Sequence, residues 1–172
     1  MSGLVVWFTG LPSSGKTTLA RETLRILRAD GEPCCLLDGD EVRECLYPPL
    51  GYGPDSRTDF YKTLASLAAM LSRQGLAVLV AATAHRRADR EWARGLARER
   101  FVEIFVDTPL DVCEERDAKG LYERARAGEI QHFPGIHEEY EPPGDEALRV
   151  SSGDIVSEAE RLAKAIRSRR SG

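Results

Sequence analysis

The sequence lacks a long hydrophobic run and has few cysteines. Its N-terminal apolar stretch, residues 4–8, is too short for a signal peptide or a membrane-spanning helix. The cysteines form no C-x-x-C pair, which argues against a zinc site and a disulfide framework. Two of them are adjacent and would point to opposite faces of a strand. We therefore expect a cytoplasmic protein with no membrane partner and with reduced core cysteines, namely Cys34, Cys35, Cys45 and Cys113.

Lysine is also rare, and the chain has no large excess of charge. Lysine occurs only at positions 16, 62, 119 and 164, so arginine carries most of the positive charge. The formal net charge of -4 excludes a general binder of polyanions. The terminal RSRRSG is too short to predict nucleic-acid binding, and we expect it to fray. A chain of 172 residues that is 42% hydrophobic predicts one globular domain, residues 1–172.

Short apolar runs alternate with longer segments of helical periodicity. This alternation predicts an α/β fold, with a five-stranded parallel sheet that helices cover on both faces. Ligands of such sheets bind beyond the carboxyl ends of the strands. The predicted strands are 4–9, 34–38, 76–82, 101–107 and 147–152, and the predicted helices are 16–30, 58–73, 86–99, 110–116 and 154–169.

One segment, residues 117–146, breaks the alternation. It is charged, is rich in glycine and proline, and contains one short helical piece at 121–127. A long connection of this kind inside a compact domain is usually functional or disordered. Because Gly120, Gly128 and Gly135 surround an arginine-bearing helical piece, we expect residues 117–135 to form a mobile lid. A solvated surface loop is the alternative.

The first predicted strand leads into GLPSSGKTT, residues 10–18, which matches the pattern G-x-x-x-x-G-K-[ST]. Glycines let successive backbone N–H groups converge on phosphate oxygens, and the following helix aims its positive end at the same anion. Lys16 would reach the β and γ phosphates of ATP, and the Thr17 hydroxyl would hold Mg²⁺. The alternative is a plain glycine turn. The guanine signature N-K-x-D is absent, which argues against a GTPase.

The second predicted strand ends in LLDGDEVR, residues 36–43, which places two acids one glycine apart. In an extended chain Asp38 and Asp40 would point the same way, beside the P-loop. One would bind Mg²⁺ through water while the other accepts a proton from an attacking hydroxyl. Arg43, one helical turn further on, would hold an anionic group of the acceptor. For Asp38 alone, a helix N-cap is the alternative.

Together these segments resemble the adenylylsulfate kinase (APS kinase) family of P-loop kinases. The resemblance covers nearly the whole chain and includes RADR (87–90), FVDTPLDVCEERDAKGLYERARAGEI (105–130) and FPGIHEEYEPP (133–143). It implies ATP-dependent phosphorylation of the 3′-hydroxyl of a small-molecule substrate, adenosine 5′-phosphosulfate (APS), to give PAPS in sulfate assimilation. It also implies Mg²⁺ as cofactor and allows a homodimer.

The resemblance assigns roles residue by residue. Asp40 matches the general base, Asp38 matches the acid that supports Mg²⁺, and Lys16 completes the catalytic set. Two aromatic rings match a pair that sandwiches the substrate adenine, and such stacking stabilises a bound base by about 1–3 kcal/mol. The nucleotide-binding candidates are Gly10, Ser13, Ser14, Gly15, Lys16, Thr17, Thr18 and Arg116; the substrate-binding candidates are Arg43, Tyr52, Arg57, Lys119 and Phe133; the metal ligands are Thr17 and Asp38.

The chain departs from the family pattern on the acceptor side. Glu41 and Phe60 stand where the family usually has Asn, and Ala84 and His85 replace Ser and Pro. Because Phe60 and Ala84 each replace a hydrogen-bonding side chain, we expect APS to bind more weakly than is usual for the family. His85 follows a predicted strand end and could contact an anion, but a lone histidine on a loop is more often incidental, and we expect that here. Two alternatives stay open: a related kinase for another small anionic acceptor, and a non-catalytic nucleotide-binding regulator.

Overall fold

The structure is a computed structural model that describes residues 3–151 and 153–171. Its strands are β1 (Leu4–Thr9), β2 (Cys34–Asp38), β3 (Ala77–Ala81), β4 (Phe101–Asp107) and β5 (Leu148–Ser151). Its α-helices are α1 (Lys16–Ala29), α2 (Gly39–Cys45), α3 (Pro54–Arg73), α4 (Arg87–Ala97), α5 (Leu110–Arg116), α6 (Leu121–Arg126) and α7 (Ile155–Ser171). The strands form one parallel sheet in the order β2-β3-β1-β4-β5.

Helices cover both faces of the sheet because alternate residues of a strand point to opposite sides. In β1, Val6 and Phe8 pack in a cluster with residues of α1 and α7, whereas Val5 and Trp7 pack with residues of α3 and α4. All of β1 is buried, as is typical of a central parallel strand. The prediction of a five-stranded parallel sheet with helices on both faces is confirmed, and the carboxyl ends of β1 and β2 lie at the same edge.

Two helices differ from the prediction near that edge. Helix α3 begins at Pro54 rather than at residue 58, because proline is well tolerated in the first turn of a helix. Helix α2 was not predicted, and it begins at Gly39 directly after β2. Residue 152, the predicted end of the fifth strand, lies outside the described residues.

The C-terminal basic segment is ordered against the body of the protein. Helix α7 continues to Ser171, and the Arg170 side chain is buried. Its guanidinium donates to the carbonyl oxygens of Pro33 and Gly75, each at 2.9 Å. The expectation that this segment frays is therefore wrong: Arg170 joins α7 to the turns that precede β2 and β3.

The cysteines follow the prediction with one exception. Cys34 and Cys35 pack against the two opposite faces of the sheet, and Cys113 is buried. Cys45 is exposed at the end of α2, so the expectation of a core position is wrong there. All four thiols are free. In the two described ranges, no helix is both long enough and apolar enough to cross a bilayer.

The lid segment, residues 117–135, packs against the P-loop through a small hydrophobic cluster. Tyr122 of α6 and Phe133 are buried there in an edge-to-face contact, with ring centroids 4.9 Å apart. Leu11 of the P-loop packs on the same cluster, and the Tyr122 hydroxyl donates to the carbonyl oxygen of Pro12 at 2.8 Å. The alternative of a fully solvated loop is therefore wrong for this segment.

Candidate active site

The P-loop follows β1 and leads directly into α1. Gly10 has φ 153°, and a Cβ atom there would lie 2.6 Å from the carbonyl oxygen of Val106. Gly15 caps α1 in the left-handed region, with φ 98°. Both positions require glycine, so the backbone conformation explains the spacing of the two glycines in the motif. The N-terminus of α1 is thereby placed at the carboxyl edge of the sheet, where an anion is favoured.

Lys16 is folded back onto the P-loop. Its ammonium group donates to the carbonyl oxygens of Gly10 at 3.0 Å and Leu11 at 2.7 Å. Burial lowers the pKa of Lys16 to about 8, although the nearby carboxylates of Asp40 and Asp38 act in the opposite direction. A buried ammonium with only neutral acceptors is a poorly compensated charge. A bound polyphosphate would supply the missing negative charge, so the geometry favours nucleotide binding.

The lowered pKa of Lys16 leads us to expect that the affinity for ATP depends on pH. Below about pH 8 the side chain is already charged in the free protein, so this group adds no pH dependence to nucleotide affinity. Above that pH, binding must first restore the proton, and the Kd for ATP should rise by about tenfold per pH unit. Calorimetry across this range, in buffers of different ionisation enthalpy, should detect the matching proton uptake. A Kd that stays flat well above pH 8 would contradict it, and the Lys16→Met variant is the control without the titrating group.

Thr17 and Asp38 form an oxygen pair next to the P-loop. The Thr17 hydroxyl donates to Oδ2 of Asp38 at 2.7 Å, while Oδ1 of Asp38 accepts from the backbone N–H of Asp40 at 3.0 Å. The N-cap alternative for Asp38 is thus correct. Only one carboxylate oxygen is used in the cap, and the other accepts the hydrogen bond from Thr17. Hydroxyl and carboxylate oxygens suit Mg²⁺, which commonly completes its shell with phosphates and water. Among the described residues no cluster of three or more His, Cys, Asp or Glu could hold a metal alone.

Asp40 lies in the first turn of α2 and not in an extended chain. The argument that alternation along a strand places Asp38 and Asp40 on one side is therefore wrong, because Gly39 already begins the helix. The two carboxylates still lie close enough to Lys119 to raise the pKa of that lysine, chiefly through the hydrogen bond to Asp40. The Lys119 ammonium pairs directly with Oδ2 of Asp40, and both side chains are exposed. The lid thus contacts the candidate base.

Arg43 is held between two aromatic rings. Its guanidinium carbon lies 3.9 Å from the ring centroid of Phe60 and 4.5 Å from that of Tyr52. Its Nη1 donates to the carbonyl oxygen of Gly51 at 2.9 Å. Phe60 is almost fully buried beneath it. A cation over a ring gains roughly 0.5–2 kcal/mol, so Phe60 does more than replace a polar side chain; it orients an arginine at the site.

The two predicted adenine-stacking rings differ in their surroundings. Tyr52 is exposed and contacts Arg43, whereas Phe133 is buried against Tyr122. Within the described part of the chain, no ring contact joins Tyr52 to Phe133. Glu41, one of the departures from the family pattern, turns away from this region: it accepts from Arg21 at 2.7 Å on the exposed side of α2.

Arg57 and His85 meet at a carboxylate that sequence reasoning missed. Arg57 of α3 is buried and donates to the carbonyl oxygen of His132 at 2.6 Å. Oε2 of Glu138 lies 2.5 Å from Nε2 of the buried His85 and 4.0 Å from Nη1 of Arg57. His85 is therefore not incidental, and that expectation is wrong. The available signal was its position in the loop that follows β3, where the family that the sequence resembles usually has a proline.

The remaining nucleotide-binding candidates surround the P-loop. Ser14 is buried, and its carbonyl oxygen accepts from Nη1 of Arg116 at 3.4 Å. A shallow cleft beside them is also lined by Val150 and Ile155. Ser13 has φ 59°, and Thr18 is exposed on the first turn of α1. The structure therefore brings the P-loop residues and Arg116 together at one end of the sheet.

Comparison with protein-family models finds a match along most of the sequence. The model described as Adenylylsulphate kinase matches residues 2–151, most of the chain. The chain belongs to the adenylylsulphate kinase family. Its P-loop, its Asp-Gly-Asp motif and its lid all fall inside the matched range.

Individual members of the family are similar along most of their length. An adenylyl-sulfate kinase of Synechococcus sp. (strain JA-2-3B'a(2-13)) is 50% identical over 141 residues, 82% of this chain and 80% of the relative. One from Paraburkholderia xenovorans (strain LB400) is 42% identical over 160 residues, 93% of this chain and 86% of the relative. The Mycobacterium tuberculosis APS kinase CysC, solved in complex with AMPPNP and APS, has a TM-score of 0.91 at 38% identity, covering 96% of this chain and 98% of that chain.

Proposed function

We propose that the protein transfers the γ-phosphoryl group of ATP to the 3′-hydroxyl of APS. The observation that carries the proposal is the meeting of Lys16, Asp38 and Asp40 at the carboxyl ends of β1 and β2. A phosphate clamp, a metal ligand and a base are the parts that phosphoryl transfer to a hydroxyl requires. The family membership and the APS-bound relative support the same reaction.

Each residue of the site would have its own role in the phosphoryl transfer. Lys16 would exchange the P-loop carbonyls for the β and γ phosphates and offset their charge in the transition state. Thr17 and Asp38 would hold Mg²⁺, which when bound draws charge from the transferring phosphoryl group. Asp40 would accept the proton of the attacking hydroxyl. Because Lys119 pairs with Asp40, substrate binding must move this lysine, which then becomes free to contact a phosphate oxygen.

The acceptor side is built for an anionic nucleotide. Arg43 and Arg57 would hold the phosphosulfate end, and Tyr52 and Phe133 would enclose the adenine. Tyr52 stacks on Arg43, so adenine would have to compete for that ring. This competition, and the loss of hydrogen-bonding groups at Phe60 and Ala84, support the prediction that APS binds more weakly than in typical family members.

Calorimetric titration of APS into protein with MgADP, together with a coupled assay of ADP release, tests the proposal. We expect APS-dependent release of ADP and an APS Kd above that of a family member with the usual Asn and Ser, measured side by side. No binding and no ADP release, from folded protein that still binds ATP, would reject APS as acceptor. It would favour another small anionic alcohol, which a panel of hydroxyl compounds would then identify.

The lid should become more ordered when both substrates are bound. Closure of residues 117–135 would exclude water and so limit wasteful ATP hydrolysis. Amide hydrogen exchange in this segment should slow in the presence of MgADP and APS together, compared with free protein. The buried residues of β1 provide the internal control, since their exchange should stay slow in every state. Equal lid exchange with and without ligands would contradict the prediction.

The two alternatives make different predictions. A non-catalytic regulator would bind ATP, yet it would have no use for a base at position 40; loss of turnover without loss of ATP binding in an Asp40 variant would exclude it. A cytoplasmic location and a homodimer stay predictions. Sedimentation equilibrium would test the homodimer, and a monomeric mass across the accessible concentration range would contradict it.

A further inference from the structure

Glu138 has an unusual set of neighbours on the acceptor side. Oε2 of its carboxylate lies 2.5 Å from Nε2 of His85, 3.5 Å from Nη2 of Arg86 and 4.0 Å from Nη1 of Arg57. Oε1 lies 3.1 Å from Nδ1 of His132. The side chain of Glu138 is only 16% exposed. One carboxylate therefore faces two guanidinium groups and two imidazoles at the place where the proposed function requires an anion site.

Arg57 and Arg86 place positive charge beside Glu138. Burial lowers the pKa of His85, so its imidazole is neutral at neutral pH and serves as a hydrogen-bond donor from Nε2. Its Nδ1 is buried and has no partner among the described residues, as fits a nitrogen that carries no hydrogen. Burial raises the pKa of Glu138, but His85 and the arginines outweigh it and hold that pKa below its ordinary value. Glu138 is thus a charged carboxylate beside two guanidinium groups.

We propose that Glu138 is a specificity-determining residue: its carboxylate occupies the position of the acceptor's anionic group between Arg57 and Arg86, and an acceptor must displace it to bind. The inference rests on the proposed function, which assigns Arg57 to the anionic end of the acceptor. Arg57 is ready for this exchange, because within the described ranges its guanidinium makes one hydrogen bond, from Nη1 to the His132 carbonyl oxygen.

The selectivity follows from charge. Glu138 is attached to the same chain, so it competes at a high effective concentration. A ligand with a single carboxylate offers the two arginines no more charge than Glu138 does and gains nothing by replacing it. A dianionic group gains more, so the site admits it and rejects weaker anions. Removing the charge of Glu138 should therefore tighten the binding of all anions and reduce the preference for dianions.

Anion binding to the full-length protein, followed by histidine NMR, tests the inference. The chain has only three histidines, His85, His132 and His137, and the first two contact Glu138. MgADP is kept saturating so that the P-loop is filled. Sodium sulfate and sodium acetate are the probes. The variants are Glu138→Gln and, as the matched control, Glu139→Gln, which removes the same charge from an exposed neighbouring residue.

In the wild type, sulfate should shift the His85 and His132 signals, and acetate at the same concentration should not. In Glu138→Gln the sulfate Kd should fall by about tenfold, the effect of one charge a few ångströms away, and acetate should bind measurably. Glu139→Gln should behave as the wild type. Sulfate binding no tighter in Glu138→Gln than in Glu139→Gln, or no anion binding in any protein, would overturn the inference.

Two further readouts separate the possible failures. If thermal melting shows that Glu138→Gln does not fold, the anion titrations of the wild type test the inference instead. Acetate that binds the wild type as tightly as sulfate would overturn it. In the kinase assay, the KM for APS should fall in Glu138→Gln while the KM for ATP is unchanged. Normal APS turnover with an unchanged KM would reject the role of Glu138 and leave the proposed function intact. Absence of APS turnover in the wild type would reject the proposed function, and the anion titration would still report on Glu138.

Discussion

Replacing Lys16 with alanine should reduce kcat/KM by at least about 10³-fold, because the variant loses the one ammonium group buried in the P-loop. The charge developing on the transferred phosphoryl group would have no counter-charge from this position. ATP should also bind more weakly, since the β and γ phosphates lose the same partner. Steady-state kinetics with MgATP and a saturating acceptor measure the effect.

The control for this variant is Lys164→Ala. Lys164 is exposed on α7, so the substitution removes the same side chain without touching the site. It should leave kcat and both KM values within about twofold of the wild type, as is usual for a surface substitution. A Lys16→Ala enzyme that retained near wild-type kcat/KM would exclude Lys16 as the phosphate clamp and remove the main support for the P-loop mechanism.

Replacing Asp40 with asparagine should reduce kcat by about 10²–10⁴-fold while the Kd for ATP stays nearly constant. The substitution preserves the size of the side chain and its place at the start of α2, but it removes the ability to accept a proton. It also removes the ion pair with Lys119, so the lid should exchange its amides faster in the free protein. Single-turnover kinetics and ATP titration together separate the chemical step from binding.

Glu41→Gln is the matched control for Asp40→Asn. Glu41 is the next residue of the same helix and carries the same charge, but it pairs with Arg21 on the exposed side. Its loss should change kcat by less than about twofold, the scale of an exposed ion pair. If Asp40→Asn instead abolished ATP binding while single-turnover chemistry stayed fast, Asp40 would be a metal ligand and not the base.

The parts of the site that could be predicted from sequence are those that depend on residues close together in the chain. The P-loop motif requires a strand, two special glycines and a helix start within nine residues, and the structure has all of these. The sheet was predicted because short apolar runs alternate with helical segments; β1 and β3 are continuous apolar runs, whereas β4 carries one buried acid, Glu103. Their order in the sheet was not predicted, since strand pairing depends on contacts between distant segments.

Helix α2 shows where local reasoning failed. The prediction ended the strand at Asp38 but assumed that the chain stays extended as far as Asp40. The structure begins the helix at Gly39, since the Asp38 side chain caps it and the acids of the first turn suit the positive helix end. The two carboxylates are thus brought together near Lys16 by a cap and not by strand alternation.

Contacts across the chain account for the residues that were missed or misjudged. Glu138 and His85 are 53 positions apart, and no local sequence pattern indicates that they pair. Phe60 was interpreted as the loss of a polar side chain, whereas the structure stacks it on Arg43. In both cases the signal was a departure from the family pattern. Its meaning depended on which side chain it would meet in three dimensions.

The measurement that tests the central claim most directly is the identification of the phosphorylated product. The protein is incubated with APS and MgATP carrying an isotopically labelled γ-phosphoryl group, and the product is examined by phosphorus NMR and mass spectrometry. The proposed function predicts the label in one new phosphate ester at the 3′-hydroxyl of APS, formed at the rate of ADP release and about 10²–10⁴-fold more slowly with Asp40→Asn. Label found only in inorganic phosphate, or on an acceptor other than APS in a mixed panel, would contradict it.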